Sequence, residues 1–234
     1  MAEWKQKRFW TEAAPVAEAD GFAVALDGRK IKTPAKSSLI LPTEALAQMV
    51  AEEWAAQGEE VDPGSMPVTR MANSAIDKVR VKHAEIATMI AEYGGTDLLC
   101  YRADGPDALI ARQVAAWDPA LDWAREKMGV SLQIGSGVMF FQQPEGDLKV
   151  LSDRIHALDD FQLAAAHDLV GLSGSLILGL AAMDGWRSPE EIWDASRVDD
   201  IWQQEQWGAD DEAVDIAETK RASFLQAHRF YANC

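Results

Sequence analysis

Apolar residues change their spacing at Pro42-Thr43, and that switch limits the chain to one fold class. Before it, short extended runs follow one another: an apolar run over 22–26, the pair Asp27-Gly28, then Arg29 to Lys32. An Asp-Gly pair between short runs predicts a hairpin, because glycine tolerates the positive φ that a type I′ turn demands. Thr33-Pro34 ends that strand, and residues 38–41 offer another. After the switch, Leu46, Met49, Val50 and Trp54 fall at helical spacing, with Glu52, Glu53 and Gln57 off the stripe and Gly58 closing the helix. A β-rich start followed by helices predicts an α+β protein. The acidic stretch 58–67, which carries Pro63, Gly64 and Pro67, is the candidate hinge. It divides the chain into a small N-terminal domain (1–66) and a larger, mainly helical domain (67–234).

Within the second part, Ala72, Ile76, Val79, His83, Ile86, Ile90 and Tyr93 predict one long helix, stopped by Gly94-Gly95. Pro106 opens another, and Asp118-Pro119 reads as the N-cap and first residue of the next. Ser188-Pro189-Glu190-Glu191 is a capping box with proline at the first helical position, and the helix it opens is expected to carry Asp199 and Asp200. Residues 129–143, rich in Gly, Ser, Val and Phe, fit either a short hairpin or a loop.

Charge and chemistry narrow the function. The 234 residues are 48% apolar, as a globular chain requires, and 22 Lys+Arg against 38 Asp+Glu leave a net charge of −16. Such a balance repels phosphates and anionic lipid, which argues against nucleic-acid or membrane-surface binding. The longest apolar stretch, 172–183, is far short of the ~20 residues that cross a bilayer, and no secretory signal opens the chain. Cys100 and Cys234 are too few for a disulfide scaffold and read as free thiols in a reducing, cytoplasmic compartment.

No catalytic motif is complete. Gly171-Leu-Ser-Gly-Ser175 puts serine where a hydrolase elbow needs its last glycine, and a buried apolar helix fits that segment better. Gly135-Ser-Gly137 has Phe140 at the third glycine position of a dinucleotide loop, and no phosphate loop of the Walker type occurs. His83, His156, His167 and His228 show no metal-ligand pairing, and His83 on its apolar stripe reads as a hydrogen-bonded core residue. No cofactor or metal is expected. Tryptophan is the anomaly, with nine present against three tyrosines. Each can dominate a core or an interface. Asp199, Asp200 and Glu205 cluster beside Trp202 and Trp207, as either a solvated face or a binding edge for basic partner residues.

Strings spread over nearly the whole chain resemble, in order, one family. They are Arg8-Phe-Trp10, Gly21-Phe22, Leu26 to Arg29, Thr33-Pro34, Glu52-Glu-Trp54 with Gln57, Met66-Pro67, and Asn73 with Asp77. They continue with Gln113, Trp117-Asp-Pro119, Trp123, Gly174-Ser175, Asp199 to Gln203, and Trp207-Gly208. The chain is similar to the assembly chaperones of F-type ATP synthase that bind the free α subunit, and looks like a bacterial member. The resemblance implies a non-enzymatic, monomeric chaperone that shields an unassembled α subunit from aggregation and hands it to β subunits. It makes Asp199, Asp200, Trp202, Glu205 and Trp207 the candidate partner-binding residues, and Trp54, Asp77, Trp117, Asp118 and Pro119 structural ones. Members often carry Glu where Asp200 stands, which keeps the charge one methylene further out. Two rival readings remain. One is an enzyme or small-ligand binder with a pocket between the domains, and the other is a structural subunit of a stable assembly.

Overall fold

The computed structural model describes residues 7–208 and 210–234, which leaves Trp4 outside. The fold is α+β. The described residues form two compact units: the first runs through His83 and includes Asp159–Ala164 and Arg229–Cys234, and the second comprises Ala84–Leu158 and Ala165–His228.

In the first unit, strands β1 (Ala13–Glu18), β2 (Gly21–Leu26) and β3 (Arg29–Lys30) make an antiparallel meander in the order β1-β2-β3. The β2–β3 turn has Asp27 at φ 46° and Gly28 at φ 79°, both positive, as the Asp-Gly pair predicts. The Asp27 carboxylate also accepts from the Thr11 and Glu12 amides and the Thr11 hydroxyl, which ties the start of the chain to that turn. Residues 38–41 form isolated bridges, Lys32↔Ser38 and Phe22↔Leu41, rather than the expected full strand. Gly21, at φ 142°, is required by this approach: a Cβ there would lie 2.4 Å from the Leu41 carbonyl oxygen.

Helix α1 (Glu44–Ala55) starts at Thr43, whose hydroxyl accepts from the Leu46 amide, and buries Leu46, Met49 and Val50 against β1 and β2. Trp54 on its last turn is half-buried, with its ring 5.1 Å from the Trp10 ring and its carbonyl accepting from Trp10 Nε1. Arg8 donates to the carbonyls of Ala55 and Gln57, so a guanidinium meets the negative end of the helix.

Glu53, off the apolar stripe, does not point to solvent. Its carboxylate accepts from the amides of Val68 and Thr69 and from the Thr69 hydroxyl, each at 2.7 Å. It thereby caps α2 (Pro67–Ser74), whose own Met66 offers no side-chain cap. Asp77 accepts from the Thr33 hydroxyl at 2.7 Å and the Ala35 amide at 3.1 Å. These two carboxylates fasten residues 67–79 to the β-rich part, so the first compact unit continues past residue 66 to His83.

The single helix expected over residues 72–93 is broken into pieces. After α2 come a π-helical turn at Ala75–Val79, a gap, α3 (His83–Ala91) and a 3₁₀ turn at Glu92–Thr96. The π turn keeps Ala75, Ile76 and Val79 buried while shifting the register, and His83 is half-buried.

The second unit is almost wholly helical: α4 (Asp107–Met128), α5 (Glu145–His156), α6 (Asp160–Ser173) from Ala165 onward, α7 (Leu176–Met183), α8 (Pro189–Ser196), α9 (Val198–Trp207) and α10 (Asp211–Tyr231) as far as His228. The expected helix start at Asp118-Pro119 is corrected: α4 runs straight through Pro119. Pro119 forfeits one backbone bond, but the buried stripe of Gln113, Trp117, Ala120 and Ala124 continues through it and holds the helix. Asp118 is not a cap, because Arg102 Nη2 donates to its carboxylate at 2.7 Å. Helix α7 is buried along Leu176–Ala182 and begins at Ser175, directly after Gly174 turns left-handed at φ 71°. Asp97, fully buried, accepts from the amides of Leu99 and Ile177 and so pins the chain before α4 to the start of α7. Burial raises its carboxyl above the ordinary range against the pull of these donors. Residues 129–143 contain no hairpin: β5 (Gly135–Ser136) pairs in parallel with β4 (Tyr101–Arg102).

Replacing Glu53 with Ala strips three charge-assisted bonds from the start of α2, and unfolding in urea is expected to show a loss of about 2 kcal/mol. An unchanged urea midpoint contradicts the capping role.

Candidate functional site

Helix α9 is the least buried long element of the second unit that the sequence singled out. None of its residues is buried. The capping box at Ser188 is present, but the helix it opens stops at Ser196, so Asp199 and Asp200 stand on a separate helix. At the break, the Ser196 hydroxyl donates back to the Trp193 carbonyl and Arg197 leaves the helical region at φ −111°, ψ 11°. Arg197 then lies over the Trp193 ring and pairs with Asp200 at 2.9 Å, bridging the two helices.

With no core of its own, α9 is held by polar ties to α4. Gln113, 1% exposed, donates from Nε2 to the Asp199 carboxylate at 2.7 Å while its Oε1 accepts from the Ala103 amide at 2.8 Å. Arg112 pairs with Glu205 at 2.7 Å and lies 4.9 Å from the centre of the Trp202 ring. The Arg112 guanidinium holds the Glu205 carboxyl below the usual carboxylate range. One helical turn along α4, Trp117 is fully buried and donates from Nε1 to the Ala195 carbonyl at 2.7 Å. Arg102 stacks on Trp117 and donates to the Leu99 carbonyl and to Asp118.

The five predicted partner-binding residues are thus divided between the two sides of α9. A cavity of about 610 Å³ on the α4 side is lined by Tyr101, Leu109, Val138, Asp199, Trp202 and Trp207. A second, of about 580 Å³ on the α10 side, is lined by Asp200, Ile201, Trp207, Val214 and Ile216. Asp199 and Asp200 sit about 100° apart around the helix, which sends neighbouring carboxylates to opposite grooves. Trp207 borders both cavities and is 79% exposed, the one exposed tryptophan among those described. Trp10, Trp117 and Trp193 are core; Trp54, Trp123, Trp186 and Trp202 are half-buried. Glu205 faces α4 through Arg112 rather than sharing a free edge with Asp200.

Sequence reasoning missed Gln113 as the tie beneath α9, although it stands in one of the strings noted above. It also left unassigned Val138, Met139 and Phe140, which are strongly exposed beside the α4-side cavity. An uncharged apolar run just after Gly137 is the signal that marks them. Among the described residues, no group of His, Cys, Asp and Glu is placed to hold a metal ion, and no helix is long and apolar enough to cross a membrane.

Known proteins share this fold. Residues 7–125 match the family model of the ATP12 chaperone protein. The solved Atp12 of Paracoccus denitrificans is 46% identical, with a TM-score of 0.95 and coverage of 98% of this chain and 99% of that one. A point mutant of Paracoccus denitrificans Atp12p superposes as well, at 45% identity, TM-score 0.96 and 99% coverage of both chains. The mitochondrial protein atp12 of Schizosaccharomyces pombe is 24% identical over 97% of this chain and 82% of its own length. The chain belongs to the ATP12 chaperone family, the assembly chaperones of F-type ATP synthase.

The two kinds of tie under α9 predict different consequences. Gln113→Leu leaves the Asp199 carboxylate and the half-buried Ala103 amide without their partner and is expected to lower the unfolding free energy by about 2 kcal/mol. Arg112→Ala breaks an exposed pair and is expected to shift the denaturant midpoint far less. Equal midpoints for the two variants contradict this ordering.

Proposed function

We propose that this protein binds the unassembled α subunit of F-type ATP synthase, keeps it from aggregating and releases it to β subunits as the catalytic hexamer forms. Membership of the ATP12 chaperone family is the observation that carries the proposal. The need is physical: a subunit awaiting its neighbours exposes an obligate-type interface, which is large, apolar and aggregation-prone. What supports α9 as the contact is its form. An exposed Trp207 stands between two open cavities, with acidic residues on both sides of the helix and a chain charge of −16 around it. In this reading Trp207 is the apolar anchor, Asp200 steers Lys or Arg of the α subunit, and Asp199, Trp202 and Glu205 hold the helix in place. The protein acts as a cytoplasmic monomer, without cofactor and without catalysis of its own.

Rim charges act chiefly on association rate. Stopped-flow mixing with purified α subunit is therefore expected to show slower capture and a flatter salt dependence for Asp200→Lys, with the melting temperature only slightly lowered by loss of the exposed pair with Arg197. If rate and salt slope both match the wild type, α9 is scaffold and the α subunit binds elsewhere.

A further inference from the structure

Residues 129–144 hold no charged side chain, in a chain where charged residues make up 26%. Within them Val138 is 93%, Met139 80% and Phe140 70% exposed. Three large apolar side chains in a row, without a charge to solvate them, are unusual on a soluble surface unless something covers them.

The base that carries them is built, not slack. Gln143, almost fully buried, closes the loop like a staple: its Oε1 accepts from the Gln133 amide at 2.7 Å and its Nε2 donates to the Gln133 carbonyl at 3.0 Å. Strand β5 pairs with β4, and the Gly137 amide donates to the Arg102 carbonyl at 2.8 Å. Phe141 turns inward, 4.9 Å from the Tyr101 ring, and its own ring sits where a Cβ on Gly135 would be, 2.4 Å away. Phe141 is thus committed to the base, whereas Val138, Met139 and Phe140 stand clear of it. A pinned base under an apolar tip lowers the ordering cost of inserting that tip into a partner.

We infer that the loop over residues 133–143 is a docking finger whose Val138-Met139-Phe140 tip inserts into an apolar hollow, bordered by Lys or Arg, on the unassembled α subunit. This rests on the function proposed above and extends it to a second contact. Continuity supports it: Gly137 and Val138 line the same cavity as Asp199, Trp202 and Trp207, so tip and helix face one space. Charge supports it too. The charged side chains lining that cavity are Asp104, Asp199 and Arg102, and Arg102 is already paired with Asp118. The surroundings of the tip therefore favour a basic margin on whatever covers it. A second copy of this chain, which brings its own charge of −16, is a poor occupant.

The test compares the full-length wild type with Val138→Ser/Met139→Ser/Phe140→Ser for binding to purified α subunit, with melting curves and sedimentation run alongside. The side chains changed are exposed, so the melting temperature is expected to stay put while affinity falls at least tenfold, mostly through faster dissociation. A separate readout uses Met139→Cys. Burial pushes the thiols of Cys100 and Cys234 up to about 12, so alkylation near neutral pH selects the new cysteine, and bound α subunit is expected to protect it. Equal affinity of wild type and triple variant, or unprotected Met139→Cys, overturns the finger while leaving the proposed function intact. A wild-type dimer that the triple variant dissolves assigns the tip to a second copy and overturns it as well. No binding by either protein overturns the proposed function, and the finger with it.

Discussion

One buried amide side chain decides where the exposed part of the second unit can stand. Gln113 takes a hydrogen from the Ala103 amide and gives one to Asp199, so the segment before α4, α4 itself and α9 share a single fixed point. Neither contact can be traded for water without cost, since the amide lies inside the protein and its partners would be left unsatisfied. The α9 wall of the α4-side cavity follows from that joint, and Trp117 one turn along fixes the end of α8 through the Ala195 carbonyl. The ion pair of Arg112 with Glu205 then sets the far end of α9 from outside, where solvent screens it.

A helix held this way is a reasonable platform for temporary binding. It buries no residue of its own, so the surface it offers was never part of the core, and covering it with a partner does not disturb α7 or α4. Under the proposed function, strength of capture rests on few apolar groups, Trp207 above all, among the acidic residues of α9. Interfaces of that kind draw their energy from a few anchors rather than from area. A chaperone that must give up its client to the final assembly needs a contact that is specific and displaceable, and a small anchor set on an acidic helix supplies both.

Much of this was legible in the sequence because it rests on local rules. Asp27-Gly28 could only be a turn, Ser188 to Glu191 only a helix start, and the α+β division followed from the change of period at Pro42. Elements fixed by distant partners were not legible. Strand β1 is Ala-rich, carries Pro15, and becomes a strand through its pairing with β2. Asp118-Pro119 has the form of a helix start, yet tertiary burial of Trp117 and Ala120 carries α4 through it. The division of α8 from α9 falls at Arg197, with neither Gly nor Pro to announce it. The acidic residues near α9 were visible as a cluster, but their partition between two grooves depends on Gln113, Arg112 and Arg197, three side chains whose spacing carries no motif. The pinning of residues 133–143 is likewise invisible, since it depends on an amide reaching back across the loop.

Under the proposed function, the client is held on the second unit, by α9 and the surface beside it. Hydrogen–deuterium exchange of the chaperone, alone and with purified α subunit, tests this directly. Slowed exchange is expected over residues 198–207 and 133–143, with the strands of the first unit unchanged. Protection confined to β1, β2 and α1, with α9 exchanging as fast in the complex as alone, would contradict it.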